Sequence, residues 1–246
     1  MILKEVLQAR WKVLIFAFLA LVASAGNIAI YQYHKYLQAS GNAAAPLFQE
    51  LTHDPVKNYS AFVWGSWFAT NGPLILLLFA AVLGGGLIAE EARTGTIFFL
   101  LSKPISRERI LLAKYMVGTG LLLAVSVMSS LILALAGLAL AEPLDVLTLL
   151  IATGLLWLVA LVPLGLALFF SILFSDTLRS VVFSLLVTAA LILVTLFLSH
   201  GGVWSMDYAW KASLAIDFPF VASIICLVAA LLPLLAALLA FRKKAY

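Results

Sequence analysis

Charged side chains are scarce in this sequence of 246 residues: Asp, Glu, Lys and Arg make up 11% of it, and hydrophobic residues 65%. A soluble domain carries about 25% charged and about 45–50% apolar residues. The apolar stretches are also much longer than the ~9–11 residues of a membrane β-strand. The sequence therefore excludes an ordinary soluble domain and predicts an all-α polytopic membrane protein.

The common signatures of catalysis are also missing. The sequence has no P-loop, no His-Glu-x-x-His and no Gly-x-Ser-x-Gly. It has one cysteine, Cys226, which cannot form an internal disulfide. We interpret His34, His53 and His200 as titratable residues of outer loops rather than metal ligands. We therefore expect no catalytic residue, and no cofactor or metal bound directly by this chain.

Six apolar stretches approach or exceed the ~20 residues that cross the hydrocarbon core. They are residues Val13–Tyr31, Pro73–Ala89, Leu111–Leu140, Val146–Phe174, Val181–Leu198 and Phe220–Ala240. We expect no ionisable residue in their interiors, which disfavours an ion-driven carrier. Ser126 and Ser130 lie one turn apart on the third span and favour a close helix–helix contact.

The distribution of Lys and Arg predicts the orientation. Twelve of the 15 basic residues fall on one side of the six spans, and basic residues concentrate in cytoplasmic segments. The other three are Lys35, Lys57 and Lys211. Both termini are therefore predicted to be cytoplasmic, and residues 1–246 to form a single transmembrane domain.

The first 12 residues repeat apolar side chains at helical spacing, which favours an interfacial helix on the inner surface. The alternative is a plain cytoplasmic extension of the first span. A cleavable signal peptide ending near Ala23–Ala25 is a further alternative, and we favour a retained span because apolar residues continue beyond it.

Two outer segments are predicted. Residues 34–71 form an outer loop whose aromatic residues are expected to anchor at the headgroups: Tyr59, Phe62, Trp64, Trp67 and Phe68. Residues 199–217 precede the last span, and either a short helix at the membrane or a simple loop fits them.

Charge interrupts the apolar sequence at residues 90–110, which we call the coupling region. Thr94–Leu101 is predicted to be a short helix that is apolar around nearly its whole circumference, with Ile97 and Leu101 on one face and Phe98 and Phe99 on others. Glu90 and Glu91 precede this helix and complement its N-terminus. Pro104 ends it, and Ser106 caps the next helix. An exposed apolar element of this kind predicts a docking surface.

These residues resemble the permease subunits of type-2 ABC exporters. The resemblance rests on Glu91, Gly95-Thr96, Leu100-Leu101-Ser102, Pro104-Ile105-Ser106-Arg107 and a lysine, Lys114, that opens the third span. The family often has a second acidic residue two positions after the first, and this chain has Arg93 there.

The resemblance implies a coupling helix that docks on a separate cytoplasmic ATPase, which would bind ATP and magnesium. The residues it assigns to this role are Glu90, Glu91, Arg93, Gly95, Thr96, Ile97, Phe98, Phe99, Leu100, Leu101, Ser102, Pro104 and Arg107. It also implies a complex of two permeases and two ATPases in a prokaryotic cytoplasmic membrane. The permease is expected to contact membrane lipid and to bind no nucleic acid.

The function predicted is an ATP-driven exporter permease, similar to multidrug-type and copper-enzyme-maturation permeases. The alternative is a membrane scaffold that transmits mechanical work to an extracytoplasmic partner through the aromatic outer loop. An intramembrane enzyme or secondary carrier is disfavoured. The spans lack charged specificity determinants, which gives a mild preference for an apolar or amphipathic cargo.

Overall fold

The computed structural model describes residues 2–40, 59–102, 106–198 and 220–244, and every regular element in these ranges is helical. In chain order the elements are α1 (Ile2–Ala39), α2 (Tyr59–Val63), a π-helix (Trp64–Asn71), α3 (Gly72–Gly86), α4 (Ala89–Thr94), α5 (Thr96–Leu101), α6 (Arg107–Ala139), α7 (Val146–Leu173), α8 (Thr177–Leu198) and α9 (Phe220–Lys243). Six stretches of helix are long and apolar enough to cross a membrane. The all-α fold class and the six predicted spans are confirmed for the described residues. The cytoplasmic location of the termini stays a prediction.

The N-terminal segment does not form a helix of its own. Residues 2–39 form one helix of 38 residues, about 57 Å long at 1.5 Å per residue. No glycine or proline occurs before Gly26, so nothing in the sequence ends a helix near Lys12. The prediction of a separate helix over residues 1–12 is therefore wrong, and the continuous helix fits the alternative, an extension of the first span. The location of these residues at the inner surface stays a prediction.

The predicted outer loop over residues 34–71 is helical at both of its described ends. Helix α1 continues to Ala39, and α2 and the π-helix cover Tyr59–Asn71. The aromatic side chains of this second part are buried inside the protein: Tyr59, Phe62, Trp64, Trp67 and Phe68. The prediction that they anchor at the headgroups is wrong, because side chains buried against other helices do not reach the lipid. The outer segment predicted at residues 199–217 lies outside the described residues.

The second and fourth spans form this centre. In the most apolar 18-residue stretch of each of these two spans, 61% and 67% of the residues are buried, against 39% or less in the other four spans. Gly84 on α3 allows the close approach, since a Cβ there would lie 2.7 Å from the Ala167 Cβ and from the Leu164 carbonyl oxygen of α7. Small residues at such crossings let helix backbones approach closely in membranes.

The contact predicted from Ser126 and Ser130 is confirmed. The Ser130 and Thr153 hydroxyl oxygens lie 2.7 Å apart, and the Ser126 hydroxyl donates to the Thr153 carbonyl at 3.4 Å. These bonds join α6 to α7 in the buried part of the bundle.

The opposite end of the bundle from α4 and α5 is held by Glu142, in the turn between α6 and α7. Its carboxylate accepts hydrogen bonds from the Tyr31 hydroxyl at 2.6 Å, the Lys35 ammonium at 2.7 Å and the Tyr59 backbone N–H at 2.8 Å. The bond from Lys35, followed by those from Tyr31 and Tyr59, lowers the pKa of Glu142 to about 2. One carboxylate therefore ties α1, α2 and the α6–α7 turn together.

The Gly84 crossing predicts opposite effects for two glycine-to-alanine substitutions. Alanine normally stabilises a helix interior by roughly 0.5–1 kcal/mol relative to glycine. Gly84→Ala is expected to lower the apparent melting temperature in detergent, because the new methyl group overlaps the α7 backbone and overpacking costs ~1–3 kcal/mol. Gly154→Ala on α7 is the control, since a Cβ there has no neighbour within 4 Å. Equal melting temperatures for the two variants would contradict the crossing.

The Glu142 contacts predict a loss of stability in acid. The pKa of Glu142 is lower in the folded protein than its usual value of 4.5, so between these values the folded state binds fewer protons than the unfolded chain. Stabilisation by this carboxylate is complete above about pH 4.5 and is lost as the pH falls towards 2. Glu142→Gln is expected to melt lower than wild type at pH 7 and to lose less stability between pH 5 and pH 3. Glu108→Gln, at an exposed ion pair, is the control and should keep the wild-type acid dependence.

Candidate functional site

The connection between the second and third spans folds into two short helices, α4 and α5. Helix α3 ends at Gly86, and α4 begins at Ala89 without a side-chain cap of its own. Instead, the Ser171 hydroxyl of α7 accepts the backbone N–H groups of Ile88 at 2.9 Å and Ala89 at 2.8 Å. Two donors that a helix N-terminus leaves unsatisfied are thereby paired inside the bundle. No pattern in the sequence indicates that Ser171 belongs to this site.

Gly95 separates the two helices. Its φ of 74° is left-handed, a conformation that glycine adopts without the penalty of a Cβ. The single helix predicted over Thr94–Leu101 is therefore corrected: α5 begins at Thr96. Glu90 and Glu91 lie in the first turn of α4, so they complement the N-terminus of α4 and not that of α5.

Helix α5 presents its apolar residues to different environments. Ile97 is 1% exposed and packs in the hydrophobic core. Phe98 and Phe99 are 60% and 73% exposed. The predicted separation of Ile97 from Phe98 and Phe99 is confirmed. The side chains of Leu100 and Leu101, and the whole of Pro104, lie outside the described part of the structure.

The two glutamates of α4 differ in exposure and in partner. Glu90 is exposed and pairs with Lys12 of α1 at 3.3 Å. Glu91 is buried and lies 3.1 Å from the Lys114 ammonium of α6. Both lysines, both glutamates and Glu5 border a cavity of about 250 Å³ that Thr94 and Thr96 also line.

Lys114 contacts a second carboxylate. Its Nζ atom lies 2.8 Å from both carboxylate oxygens of Glu5, on the N-terminal part of α1. Glu5, Lys114 and Glu91 are 6%, 1% and 5% exposed, and we call them the buried triad. Removing one partner of a buried ion pair typically costs ~3–5 kcal/mol, because it leaves an uncompensated charge.

The buried triad lies near the ends of three spans and not in their interiors, so it does not contradict the expectation that those interiors lack ionisable residues. Lys114 lies within the helix that forms the third span, Arg107–Ala139, and is almost completely covered. Glu91 and Lys114 are among the residues on which the family resemblance rests, but the resemblance does not predict that they form an ion pair. Glu5 and Lys12 were missed, because nothing in the sequence relates α1 to a segment about 80 to 110 positions later.

Arg107 is directed towards the C-terminal end of α9. Its Nη1 atom donates to the carbonyl oxygens of Phe241 at 3.3 Å and Lys244 at 2.7 Å. A cation at this position satisfies carbonyl groups that have no partner within the helix and complements the helix dipole. Glu108 forms an ion pair with Arg242 beside it. Burial lowers the pKa of the nearby Lys244.

The other predicted site residues lie on the surface. Arg93, Gly95, Thr96 and Ser102 are exposed. The Ser106 hydroxyl accepts the Arg109 backbone N–H at 3.4 Å, which confirms the predicted cap of α6. In the described ranges no group of three or more His, Cys, Asp or Glu residues is arranged to hold a metal ion.

The chain matches a protein-family model over most of its length. Residues 2–210 match the family model described as ABC-2 family transporter protein, which covers all the described helices except α9. No curated protein is significantly similar to the chain.

The contacts of Arg107 predict a faster opening of the last turn of α9 when this side chain is removed. Arg107→Ala is expected to speed amide hydrogen exchange at residues 241–244 roughly five-fold, which corresponds to a loss of about 1 kcal/mol at a helix C-terminus. Exchange measured by mass spectrometry in detergent micelles tests this. The exposed Arg109 provides the control, and Arg109→Ala should leave the exchange unchanged. Unchanged exchange in Arg107→Ala would show that these hydrogen bonds do not hold the turn.

Proposed function

Because the chain belongs to the ABC-2 family of transporter proteins, we propose that it is the permease subunit of an ATP-driven exporter. In this proposal a separate cytoplasmic ATPase docks on α5 and supplies the energy of transport. The permease itself performs no catalysis, and ATP and magnesium bind to the partner. Two permeases and two ATPases form the complete complex in a prokaryotic cytoplasmic membrane.

The exposure of Phe98 and Phe99 is the observation that carries this proposal. Two adjacent aromatic side chains project from a helix of six residues, among the exposed polar residues Arg93, Thr96 and Ser102. Aromatic side chains that enter a pocket of a partner supply much of the binding energy in protein interfaces. Ile97 supports the same view, because it fixes the opposite face of α5 to the bundle.

The contacts of the charged residues narrow the proposed docking surface. Glu91 and Arg107 make their contacts within the chain, so we assign them to the support of the surface. We assign the docking itself to Phe98 and Phe99, with Arg93, Thr96 and Ser102 around them.

A cleft between α3, α7 and α8 supports an apolar cargo. It measures about 230 Å³, and its lining includes Pro73, Leu77, Leu156 and Pro163. Thr188 also lines it, but its hydroxyl donates to the Ser184 carbonyl at 2.7 Å. The cleft therefore offers mainly apolar contacts, which suit a lipid, a hydrophobic peptide or a similar molecule.

The alternative function, a scaffold for an extracytoplasmic partner, receives less support. It requires the aromatic residues near the outer side to form a contact surface. Trp64 and Trp67 are buried against the rest of the bundle, so they are not available for such a partner.

The proposal predicts that the partner ATPase is lost when the two aromatic side chains are truncated. Burial of one phenylalanine contributes ~1.5–3 kcal/mol, so the double variant Phe98→Ala/Phe99→Ala should weaken binding by a factor of roughly 10² to 10⁴. Affinity purification from native membranes, with mass spectrometry and measurement of magnesium-dependent ATP hydrolysis, tests this.

The matched control removes two other exposed aromatic side chains, Phe18 and Tyr36 of α1. Phe18→Ala/Tyr36→Ala should recover the ATPase at the wild-type level. Full recovery with the Phe98→Ala/Phe99→Ala variant, or the absence of any ATPase from the wild-type sample, would refute the proposed function.

A further inference from the structure

Lys114 lies where three segments of the chain meet. Its ammonium group contacts Glu5 of α1 at 2.8 Å and Glu91 of α4 at 3.1 Å, while its own backbone belongs to α6. We propose that Lys114 is a positioning residue that locks the N-terminal part of α1 and helix α4 to α6. A force applied to Phe98 and Phe99 then moves these three helices together. The source of the force rests on the proposed function, whereas the lock itself does not.

The short helices need such a lock. Helices α4 and α5 have six residues each, and isolated helices shorter than ~12–15 residues are marginal in water. Gly95 between them has no side chain to restrict its backbone. The Ser171 hydroxyl holds the first residues of α4 from the α7 side. The Glu91–Lys114 pair holds the same helix to α6, so contacts with two different helices together fix its direction.

The charges of the buried triad determine which substitution tests the lock. The triad has two carboxylates and one ammonium group, so removing either carboxylate leaves one buried pair of opposite charges. Removing Lys114 would instead leave two buried carboxylates without a cation, and would endanger folding. Glu91→Gln is therefore the informative variant, because it releases α4 and keeps the Glu5–Lys114 pair.

The neighbouring residue supplies a matched control. Glu90 also connects α4 to α1, through Lys12 at 3.3 Å, but the two side chains are 55% and 30% exposed. Exposed ion pairs contribute little, because water and salt screen them. Glu90→Gln makes the same chemical change one position earlier, and it should leave the helices in place.

The first experiment measures a distance within the permease alone. Spin labels are attached at the exposed positions 7 of α1 and 94 of α4, outside the proposed docking surface, in the variant Leu7→Cys/Thr94→Cys/Cys226→Ala, and the protein is placed in lipid nanodiscs. Pulsed electron spin resonance should give a single narrow distance distribution, which stays narrow in Glu90→Gln and becomes at least two-fold broader in Glu91→Gln. Glu5→Gln breaks the lock from the α1 side and should give the same broadening. Equally narrow distributions in Glu91→Gln and Glu5→Gln would overturn the lock.

The second experiment adds the ATPase and magnesium-ATP to the labelled complex. If the helices move as one unit, the distance between positions 7 and 94 stays the same with and without the nucleotide. Glu91→Gln should recover the ATPase within two-fold of wild type and yet show a nucleotide-dependent distance. A loss of the ATPase from Glu91→Gln with an unchanged distance would make Glu91 a docking residue and refute the lock.

The two experiments separate the lock from the proposed function. If no ATPase is recovered with the wild-type chain, the proposed function fails, and the nanodisc distances still decide on the lock. The melting temperature of each variant is measured alongside. A Glu91→Gln variant with the wild-type melting temperature and a broadened distance distribution supports a positioning role rather than a general loss of structure.

Discussion

The direction of the two short helices between the second and third spans depends on one buried ammonium group. Transfer of an ion from water to a protein interior costs several kcal/mol, and only close, well-placed counter-charges offset this cost. The Lys114 ammonium group is buried between two such counter-charges, the carboxylates of Glu5 at 2.8 Å and Glu91 at 3.1 Å. These two residues belong to α1 and α4, so the position of either helix restricts that of the other. Helix α5, with Phe98 and Phe99, follows directly after α4.

The features that the sequence analysis predicted correctly depend on local properties. The six spans follow from composition, because a bilayer of ~30 Å requires about 20 apolar residues whatever the rest of the chain does. The Ser106 cap follows from the residue type directly before α6. The exposure of Phe98 and Phe99 follows from helical spacing once Ile97 is assigned to the buried face. Each of these needs no knowledge of a distant part of the chain.

The features that it missed depend on contacts between distant segments. Glu5 and Lys114 are 109 positions apart, and no pattern along the chain indicates that their side chains meet. Tryptophan has an apolar ring and a polar N–H group, so it suits both the headgroup region and a protein core. The sequence alone therefore does not distinguish these two locations for Trp64 and Trp67. Their burial follows only from the central place of the second span. The continuation of α1 through residue 12 was open to two interpretations, since a sequence without a helix breaker permits either.

The charged residues of the coupling region mainly hold the structure together. Glu90 pairs with Lys12, Glu91 with Lys114 and Glu108 with Arg242, while Arg107 binds the carbonyl groups at the end of α9. Each of these contacts joins the region to a helix of the same chain, α1, α6 or α9. These charged side chains bind partners within the chain. The large exposed side chains on the described part of α5 are Phe98 and Phe99. Charge therefore fixes the orientation of the surface, and apolar area supplies what a partner would bind.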